Sequence, residues 1–426
     1  MIKLKALTAI SLVFLLSSCG NNSINASTEN NQKINTFSTD DDSSQDIERI
    51  NNAIDFATTT KNSFNNSNVH FYIDGPQVFP ALEKMILSAK SSVYVEVFEF
   101  HNDATAKRIA DAMVKKVKEG LDVKFLYDFI GNSDTKLMTY MAQNGVEVQT
   151  YGKDILSKKV TVTHRKIYLI DGVRAMTGGM NIDARFADGG LFHDILMNYE
   201  GEAAKDTMSE FFKDWEMAGG KITAKMQSEF GKPIDNTKEQ QEQFTLRLAT
   251  TSPVGKDKKE NIYKMMLAAI GAAKKEIRVA MPYFTDDTFI NHLISAKNRG
   301  VKLILLIPAK TGLPPVTMAN KMTSNQFIKA GVDIYKGGAK DGSFNHSKVI
   351  TVDGVWSTIG SCNADYRAFH SNQELNIAVS NKGFTEKLNK EFFDRFVGEA
   401  TKANYENIPW YQKPLYDIVE GLDNLL

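Results

Sequence analysis

The sequence predicts an α/β fold of two similar mixed-sheet lobes in a pseudo-two-fold arrangement, with the active site between them. One observation is a repeated order of buried strand, amphipathic helix and second strand, which occurs in both halves of the chain. Another is a pair of polar motifs with identical internal spacing, one near the end of each half. The third is a composition typical of globular proteins, with 42% hydrophobic and 24% charged residues.

The N-terminus has the pattern of an export signal. A basic start, Met1–Lys5, precedes an apolar run, Ala6–Leu16, that is shorter than the roughly 20 residues needed to span a bilayer. Small residues directly before Cys19 resemble a bacterial lipobox, which predicts a lipoprotein signal peptide over residues 1–18 and lipid attachment at Cys19. An ordinary signal peptide that contains a cysteine is the alternative.

Either signal predicts an exported protein. A lipoprotein would be membrane-anchored and would face the periplasm or the cell exterior. Gly20 follows the cysteine, where many lipoproteins retained in the inner membrane have Asp, so the outer membrane is favoured.

Two further segments flank the body of the chain. Residues 19–66 are rich in Asn, Ser, Thr, Asp and Gln, and we expect a flexible polar tether because few apolar side chains are available for burial. Residues 401–426 are predicted to form an amphipathic C-terminal tail that docks on the body. An interfacial membrane helix is the alternative for this tail, and its few basic residues argue against it.

The body divides into a first lobe, residues 67–232, and a second lobe, residues 233–400. In each lobe a buried strand is followed by an amphipathic helix, a glycine that suits a helix C-cap, and a second buried strand. The matching segments are Ser91–His101 and Glu276–Phe284, Gly120 and Gly300, and Val123–Tyr127 and Val301–Ile307. Duplicated lobes of this kind commonly hold a site at their shared interface.

The strongest chemical signal is a polar motif that occurs once in each lobe. Each copy has His-x-Lys, four residues, Asp, six residues, a Gly-Gly or Gly-Ser pair, one residue and Asn. The two copies comprise His164, Lys166, Asp171, Gly179 and Asn181, and His346, Lys348, Asp353, Ser361 and Asn363. One His-x-Lys on a strand is usually incidental, but two copies inside a structural duplication indicate a common site.

This duplicated pattern resembles the phospholipase D superfamily over residues 67–426, and its flanking segments are similar to those of bacterial cardiolipin synthases. Those segments include His164–Gly172, Phe211–Trp215 and Ile359–Arg367. The chain departs from that family in its lipoprotein signal and in Thr163, where these synthases tend to have Asn. The resemblance implies the phospholipase D fold and an enzyme that acts on phosphodiesters.

Phosphodiester chemistry explains why such a site needs these residue types. A neutral imidazole can attack phosphorus, while a second, protonated imidazole donates to the leaving oxygen and later deprotonates the incoming hydroxyl. Lys166 and Lys348 would neutralise the phosphoryl oxygens, so no metal or other cofactor is expected. The candidate phosphate-binding residues are Asn181, Asn363, Gly179 and Ser361.

The resemblance also implies a separate role for each histidine. It gives the attack to His164 and the acid–base work to His346. It further implies that an acidic residue after each motif orients the histidine of the opposite copy. The matching positions are Glu374, which would orient His164, and Asp194, which would orient His346.

Other residues near the motifs are interpreted as structural. Asp171 and Asp353 each precede a glycine, which is a hairpin-turn signal between strands. Cys362 is expected to be a small buried neighbour of the site. Arg185 and Arg367 occupy equivalent places after the motif Asn, and we expect a shared structural ion pair at these places.

The function expected from these features is an exported phosphatidyltransferase or phospholipase D that acts on glycerophospholipid headgroups through a phosphohistidine, with an alcohol or water as acceptor. One alternative is a nuclease-type phosphodiesterase, although 51 basic against 51 acidic residues argue against a nucleic-acid partner. The other is a non-catalytic surface binding module. Two complete motifs argue against that module, because a degenerate copy would show losses.

Overall fold

The computed structural model describes residues 41–152, 161–234, 242–253, 258–311, 314–338, 341–407 and 409. The predicted signal peptide, Cys19 and the predicted tether up to residue 40 lie outside these residues. So do residues 410–426, which form most of the predicted tail. Within the described part of the chain, no helix combines the length and the apolar character needed to cross a membrane.

The strands alternate with helices along both halves of the chain. They are β1 Ser63–Ile73, β2 Ser92–Val97, β3 Asp122–Asp128, β4 Glu147–Tyr151, β5 Ile167–Ile170, β6 Arg174–Gly178, β7 Phe192–His193, β8 Ile195–Gly201, β9 Phe244–Ser252, β10 Lys259–Glu260, β11 Glu276–Ala280, β12 Lys302–Pro308, β13 Asp333–Gly337, β14 Phe344–Asn345, β15 Val349–Val352, β16 Trp356–Gly360, β17 Glu374–Ser380 and β18 Thr401–Lys402. β2 and β15 are buried along their whole length because both faces of the sheet are covered there.

The helices follow the same alternation. They are α1 Asp41–Ala57, α2 Gly75–Leu87, α3 Ala104–Lys118, α4 Lys136–Gln143, α5 Glu202–Met217, α6 Ala224–Gly231, α7 Asn261–Ala272, α8 Asp287–Asn298, α9 Pro314–Lys329, α10 Tyr366–His370, α11 Lys382–Leu388 and α12 Arg395–Glu399, with a π-helical segment, Asn389–Asp394, before α12. Several begin at a side chain that accepts a first-turn N–H, including Asp103, Thr223, Asp286 and Asn381.

One mixed sheet of sixteen strands passes through both halves of the described chain. Its order is β18-β13-β12-β11-β15-β16-β17-β9-β1-β8-β6-β5-β2-β3-β4, and β10 pairs with β9. The first half has the order β4-β3-β2-β5-β6-β8-β1, which the second half repeats as β13-β12-β11-β15-β16-β17-β9. The duplicated α/β architecture predicted from the sequence is therefore confirmed strand by strand.

The halves meet along a seam where β1 pairs antiparallel with β9, through Ser63 opposite Leu246. Each half has a core of its own between its strands and its helices. A third core combines apolar side chains from both halves, among them Ile167, Val349 and Ile377. The two lobes therefore share a continuous sheet and a common apolar interior, in addition to the interface that the sequence predicted.

α1 corrects the predicted tether. The sequence predicts a flexible segment up to residue 66, but residues 41–57 are helical and β1 begins at Ser63. Ile50 and Ile54 have no exposed surface and belong to the core of the second half, where α1 packs on α7. The prediction is wrong from residue 41 onward, because one apolar stripe is enough to fold a mostly polar helix onto a larger body.

The two motif aspartates hold hairpin turns. Asp171 lies between β5 and β6 and Asp353 between β15 and β16, both in the left-handed region with φ of 55° and 54°. The Asp171 carboxylate accepts backbone N–H groups of residues 90–92 at 2.8–3.2 Å. The Asp353 carboxylate accepts those of residues 274–276 at 2.7–3.0 Å. The Asp171 carboxylate therefore holds the start of β2, and the Asp353 carboxylate holds the start of β11. Both aspartates lie at the ends of β5 and β15 that are far from the histidines.

The predicted lobe boundaries fall at recognisable places in this fold. Residue 67 lies inside β1, so the first lobe begins a few residues earlier than predicted. The boundary at residues 232–233 lies between α6 and β9. Residues 401–402 form β18, which pairs antiparallel with β13 at the edge of the second half.

Candidate active site

The motif side chains of each half are gathered by antiparallel strand pairing. Lys166 directly precedes β5 and Asp194 directly precedes β8, whereas Asn181 follows the end of β6. Because neighbouring strands alternate in direction, the start of β5, the end of β6 and the start of β8 lie at one edge of the sheet. β15, β16 and β17 repeat the arrangement for Lys348 and Glu374.

Backbone hydrogen bonds between the halves fix each histidine beside the other half. His164 N donates to Gln373 O at 2.9 Å, next to Glu374. His346 N donates to His193 O at 2.8 Å, next to Asp194, where β14 pairs in parallel with β7. Each histidine therefore lies beside the carboxylate that the opposite half supplies.

Each imidazole has a buried carboxylate on its Nδ1 atom. His346 Nδ1 lies 2.8 Å from Asp194 Oδ2, and His164 Nδ1 lies 3.1 Å from Glu374 Oε2. Both carboxylates have no exposed surface, while His164 and His346 retain 9% and 8% exposure. The pairing is the one that the resemblance implied, and in both rings the carboxylate contacts Nδ1 and not Nε2.

Both motif lysines are fully buried beside the histidines. Lys166 Nζ donates to His164 O at 2.6 Å, and Lys348 Nζ donates to His346 O and lies 3.0 Å from both ring nitrogens of His346. Burial lowers the pKa of Lys166 to about 8 and that of Lys348 to about 7. A bound phosphate anion would favour the charged form of both amines.

Burial also shapes the titration of the imidazoles and of Asp194. It lowers the pKa of His164, which Glu374 partly opposes, and it lowers that of His346 further, with the help of Lys348. Burial raises the pKa of Asp194 to about 6. Both imidazoles therefore favour the neutral form near pH 7, which suits a nucleophile, and a phosphate anion beside Lys348 would favour protonation of His346.

The four candidate phosphate-binding residues fall into two groups. Asn181 and Asn363 are buried at the site, and Asn181 Nδ2 donates to Glu99 Oε2 at 2.8 Å. Gly179 and Ser361 instead lie against the orienting carboxylates. A Cβ atom on Gly179 would lie 2.6 Å from an Asp194 oxygen, and the Ser361 hydroxyl donates to Glu374. The last two therefore support the His–carboxylate pairs, a contact that differs from the predicted one.

Aromatic rings line both imidazoles. The Phe98 ring lies 5.0 Å from the His164 ring and 5.3 Å from Lys166 Nζ. The rings of Phe186 and Phe344 each lie 5.7 Å from the His346 ring. Apolar walls of this kind exclude water and strengthen the electrostatic interactions within the site.

An ion-pair cluster stands beside Asn181. Arg185 donates to both oxygens of Asp183 at 2.7 and 2.8 Å and also to Glu99. The equivalent Arg367 forms no ion pair with the described residues, so the expected pairing is present in one half only. Glu99, Asp183 and His101 bring possible metal ligands within 4.8 Å of one another, but the Arg185 guanidinium already neutralises the two carboxylates.

Two residues beside the site, Glu99 and Tyr283, are absent from the residues predicted from the motif. Bridges pair Phe100 with Ile182 and Phe284 with Ala364, which makes Glu99 and Tyr283 equivalent positions beside the two motif asparagines. The signal for this correspondence is the duplication itself, since Glu99 and Tyr283 occupy matching places in the two repeated strand segments. Cys362 is buried, and burial raises the pKa of its thiol well above the usual value, so it is not poised as a thiolate.

This duplicated fold, with two His–carboxylate pairs and two buried lysines in one site, defines an enzyme of the phospholipase D type. The family model described as cardiolipin synthase, PLD-like domain, matches residues 82–215 and 266–396, which include both motifs. The chain therefore belongs to this family of phospholipase D-type phosphatidyltransferases.

Curated relatives and a solved structure agree with this assignment. The chain is 30% identical over 376 residues to cardiolipin synthase 1 of Staphylococcus epidermidis, across 85% of this chain and 74% of that protein. It is 28% identical over 342 residues to cardiolipin synthase 1 of Bacillus anthracis, across 76% and 65%. The crystal structure of phosphatidylserine synthase from Haemophilus influenzae shares the fold, with a TM-score of 0.63, 14% identity, and coverage of 88% of this chain and 98% of that one.

Proposed function

We propose that this protein transfers a phosphatidyl group from a glycerophospholipid to an alcohol, with water as the competing acceptor. The observation that carries the proposal is the pair of His–carboxylate contacts, in which each half supplies the carboxylate for the other half's histidine. The similarity to cardiolipin synthases supports a phospholipid substrate.

The first step of the proposed mechanism is attack of His164 Nε2 on phosphorus. A P–N bond forms, the P–O bond to the headgroup breaks, and the leaving oxygen takes a proton from His346. Glu374 on Nδ1 of His164 stabilises the positive charge that develops on this ring. Lys166 and Lys348 supply positive charge for the phosphoryl oxygens, and Asn181 and Asn363 supply amide donors.

In the second step the P–N bond breaks and His346 takes up a proton instead of donating one. The acceptor hydroxyl loses its proton to His346 and attacks phosphorus, and the P–N bond breaks to release neutral His164. An alcohol acceptor gives a new phosphodiester lipid, and water gives phosphatidic acid. Asp194 on Nδ1 of His346 supports both the donation and the uptake of the proton.

The transfer reaction is tested with the full chain in mixed micelles of detergent and phosphatidylglycerol or phosphatidylethanolamine, with chelator present and with or without glycerol. Mass spectrometry separates new diesters from phosphatidic acid, and acid-quenched protein digests locate any phosphohistidine. We expect an adduct on His164 and product without added metal. Full activity of His164→Ala, or cleavage of single-stranded DNA in place of lipid, would refute the proposal.

We further propose that the protein is exported and anchored through a lipid on Cys19, after removal of residues 1–18. The support is the basic and apolar start of the chain followed by small residues before the cysteine. Labelling of cells with a fatty acid, followed by fractionation, tests the anchor. Wild-type protein should carry the label in the membrane fraction, and Cys19→Ala should lose it.

A further inference from the structure

The two copies of the motif differ in the residue between histidine and lysine. Arg165 occupies this place in the first half and Ser347 in the second. Arg165 has no exposed surface, although a buried guanidinium is costly unless its donors are paired. Ser347, by contrast, donates its hydroxyl to the nearby side chain of Asn345. The two histidines therefore occupy equivalent places in the motif but have different surroundings, because only His164 is followed by a buried arginine.

Within its own half, Arg165 is held by two carboxylates of α5. Its Nη1 donates to Asp214 Oδ2 at 2.6 Å, and its Nη2 donates to Glu210 Oε2 at 3.2 Å. Both carboxylates are themselves buried. Charge-assisted bonds of this kind fix the plane of the guanidinium and leave its other donors aimed at the second half.

Across the seam, Arg165 donates to the ends of β9 and β17. Its Nε donates to the backbone oxygen of Glu374 at 3.3 Å, and its Nη2 donates to Gln373 Oε1 at 3.3 Å and Ser252 Oγ at 3.0 Å. Glu374 is the carboxylate that faces His164. One buried cation therefore connects α5 of the first half to the strand end that presents this carboxylate.

The other neighbour of His164 is also held by buried acidic groups. The Thr163 hydroxyl donates to Glu96, and its backbone N–H donates to Asp128 Oδ2 at 2.8 Å. Glu96 lies opposite Ile167, and its equivalent Ala280 lies opposite Val349, so the second half lacks this acidic group. Both chain neighbours of His164 are thus held by buried acidic groups, whereas the chain neighbours of His346 are Asn345 and Ser347.

We propose that Arg165 is a positioning residue, which fixes the Glu374 backbone and thereby the His164–Glu374 pair, so that the covalent step belongs to His164 alone. This inference rests on the proposed function, since it explains which of two equivalent histidines forms the intermediate. Without Arg165, the strand end bearing Glu374 loses the hydrogen-bonded link to α5 that this guanidinium provides, and the two His–carboxylate pairs become more alike.

The test compares Arg165→Ser, which copies the second half, with Arg165→Lys and a matched control. The control is Arg247→Ser, because Arg247 is also buried but donates to Asp55 and to Thr60 O, outside the motif residues. Three readouts are used on the full chain: kcat and KM with a soluble phosphodiester, the location of the phosphohistidine, and NMR titration of the histidine rings.

We expect Arg165→Ser to lower kcat by about 10- to 100-fold with little change in KM, and Arg165→Lys to restore part of it. Adducts should become detectable on His346, and the titration of the His164 ring should shift while that of His346 stays. If Arg165→Ser matches Arg247→Ser in kcat and in His164 titration, the inference is wrong. Wild-type protein that cleaves a soluble diester but no phospholipid would instead refute the proposed function, and the ring titrations would still decide the role of Arg165.

Discussion

At the scale of the residue, the two motif lysines would supply the positive charge that meets a bound phosphate. Both amines are buried, and burial lowers the pKa of Lys348 to about 7 and that of Lys166 to about 8. Since an unfolded lysine keeps its proton up to a pH of about 10.4, burial of these lysines costs stability in full below about pH 7, and this cost falls as pH rises from about 7 towards 10.4. Binding of an anion needs the charged amine, so activity has the opposite dependence on pH.

We therefore predict that kcat/KM falls as pH rises through about 7 to 8. Lys348→Arg should move this alkaline limb to higher pH because a guanidinium stays charged, at the expense of about 10-fold in maximal rate since the larger head fits the site less well. The measurement is a pH profile of kcat/KM with a soluble phosphodiester. An unchanged limb in both Lys348→Arg and Lys166→Arg would show that these amines do not control binding.

The absence of a side chain at Gly179 leaves room for the buried carboxylate of Asp194. A Cβ atom added there would lie 2.6 and 2.7 Å from the two Asp194 oxygens, closer than Cβ atoms in proteins approach a non-bonded atom. Asp194 would have to move away from His346, whose Nδ1 it contacts at 2.8 Å. The glycine of the motif is therefore needed for the position of the carboxylate.

We expect Gly179→Ala to lower kcat by about 10²-fold, because small misplacements of a proton-transfer group are costly. The matched control is Gly271→Ala in α7, where an added Cβ meets open space and alanine favours the helix. Steady-state kinetics and thermal unfolding of both variants check the prediction. A fully active, folded Gly179→Ala would contradict it.

The sequence predicts the residues of the site better than it predicts their contacts. The spacing of the motif identifies His164 and His346, and the resemblance pairs each with a carboxylate of the other half. The hydrogen bond from Ser361 to Glu374 depends on the orientation of the hydroxyl in the folded site. The equivalent motif residue in the first half is Gly179, so comparison of the two copies does not predict this bond. Its contribution is therefore visible only in three dimensions.

At the scale of the element, α1 shows why a polar segment can still be structured. Its sequence is mostly polar, yet Ile47, Ile50 and Ile54 recur at three- and four-residue spacing and face the second half. Arg49 on the same helix donates to Asp353 Oδ2 at 2.7 Å, which ties α1 to a hairpin turn of the motif. Composition averaged over residues 19–66 hides this short amphipathic stripe.

We predict that Ile54→Ala destabilises the protein by about 2–5 kcal/mol, as expected for truncation of a fully buried branched side chain. Phe56→Ala is the control on the same helix, because Phe56 is 97% exposed, and it should change the free energy of unfolding by less than about 0.5 kcal/mol. Urea unfolding followed by circular dichroism measures both. If Ile54→Ala changes the free energy of unfolding as little as Phe56→Ala does, α1 is not part of the cooperative fold.

At the scale of the whole molecule, the site exists only where the halves meet. The sequence predicts two lobes because the strand and helix pattern repeats along the chain. It does not predict that β1 and β9 join them into one sheet, since strand pairing over such a separation leaves no local pattern. The seam aligns the halves so that His164 reaches Glu374 and His346 reaches Asp194.

Each half supplies the carboxylate for the other half's histidine, so the two carboxylates should affect different steps. Substrates with good and poor leaving groups distinguish these steps. Asp194 contacts the proposed proton donor His346, so Asp194→Asn should lower kcat on a phospholipid by about 10²–10⁴-fold. A p-nitrophenyl diester needs little help from an acid, so the same variant should lose much less rate with it. Glu374 supports the proposed nucleophile His164, so Glu374→Gln should lose about 10²–10⁴-fold with both substrates.

Both substitutions keep the size of the buried side chain, so thermal unfolding should show folded protein in each case. Burst kinetics with the p-nitrophenyl diester would then separate formation of the adduct from its breakdown. Slow breakdown and accumulated adduct are expected for Asp194→Asn, because the acceptor hydroxyl must still be deprotonated by His346. The reverse pattern, in which the better leaving group restores the rate of Glu374→Gln, would indicate that His346 is the nucleophile. The proposed roles of the two histidines would then be wrong.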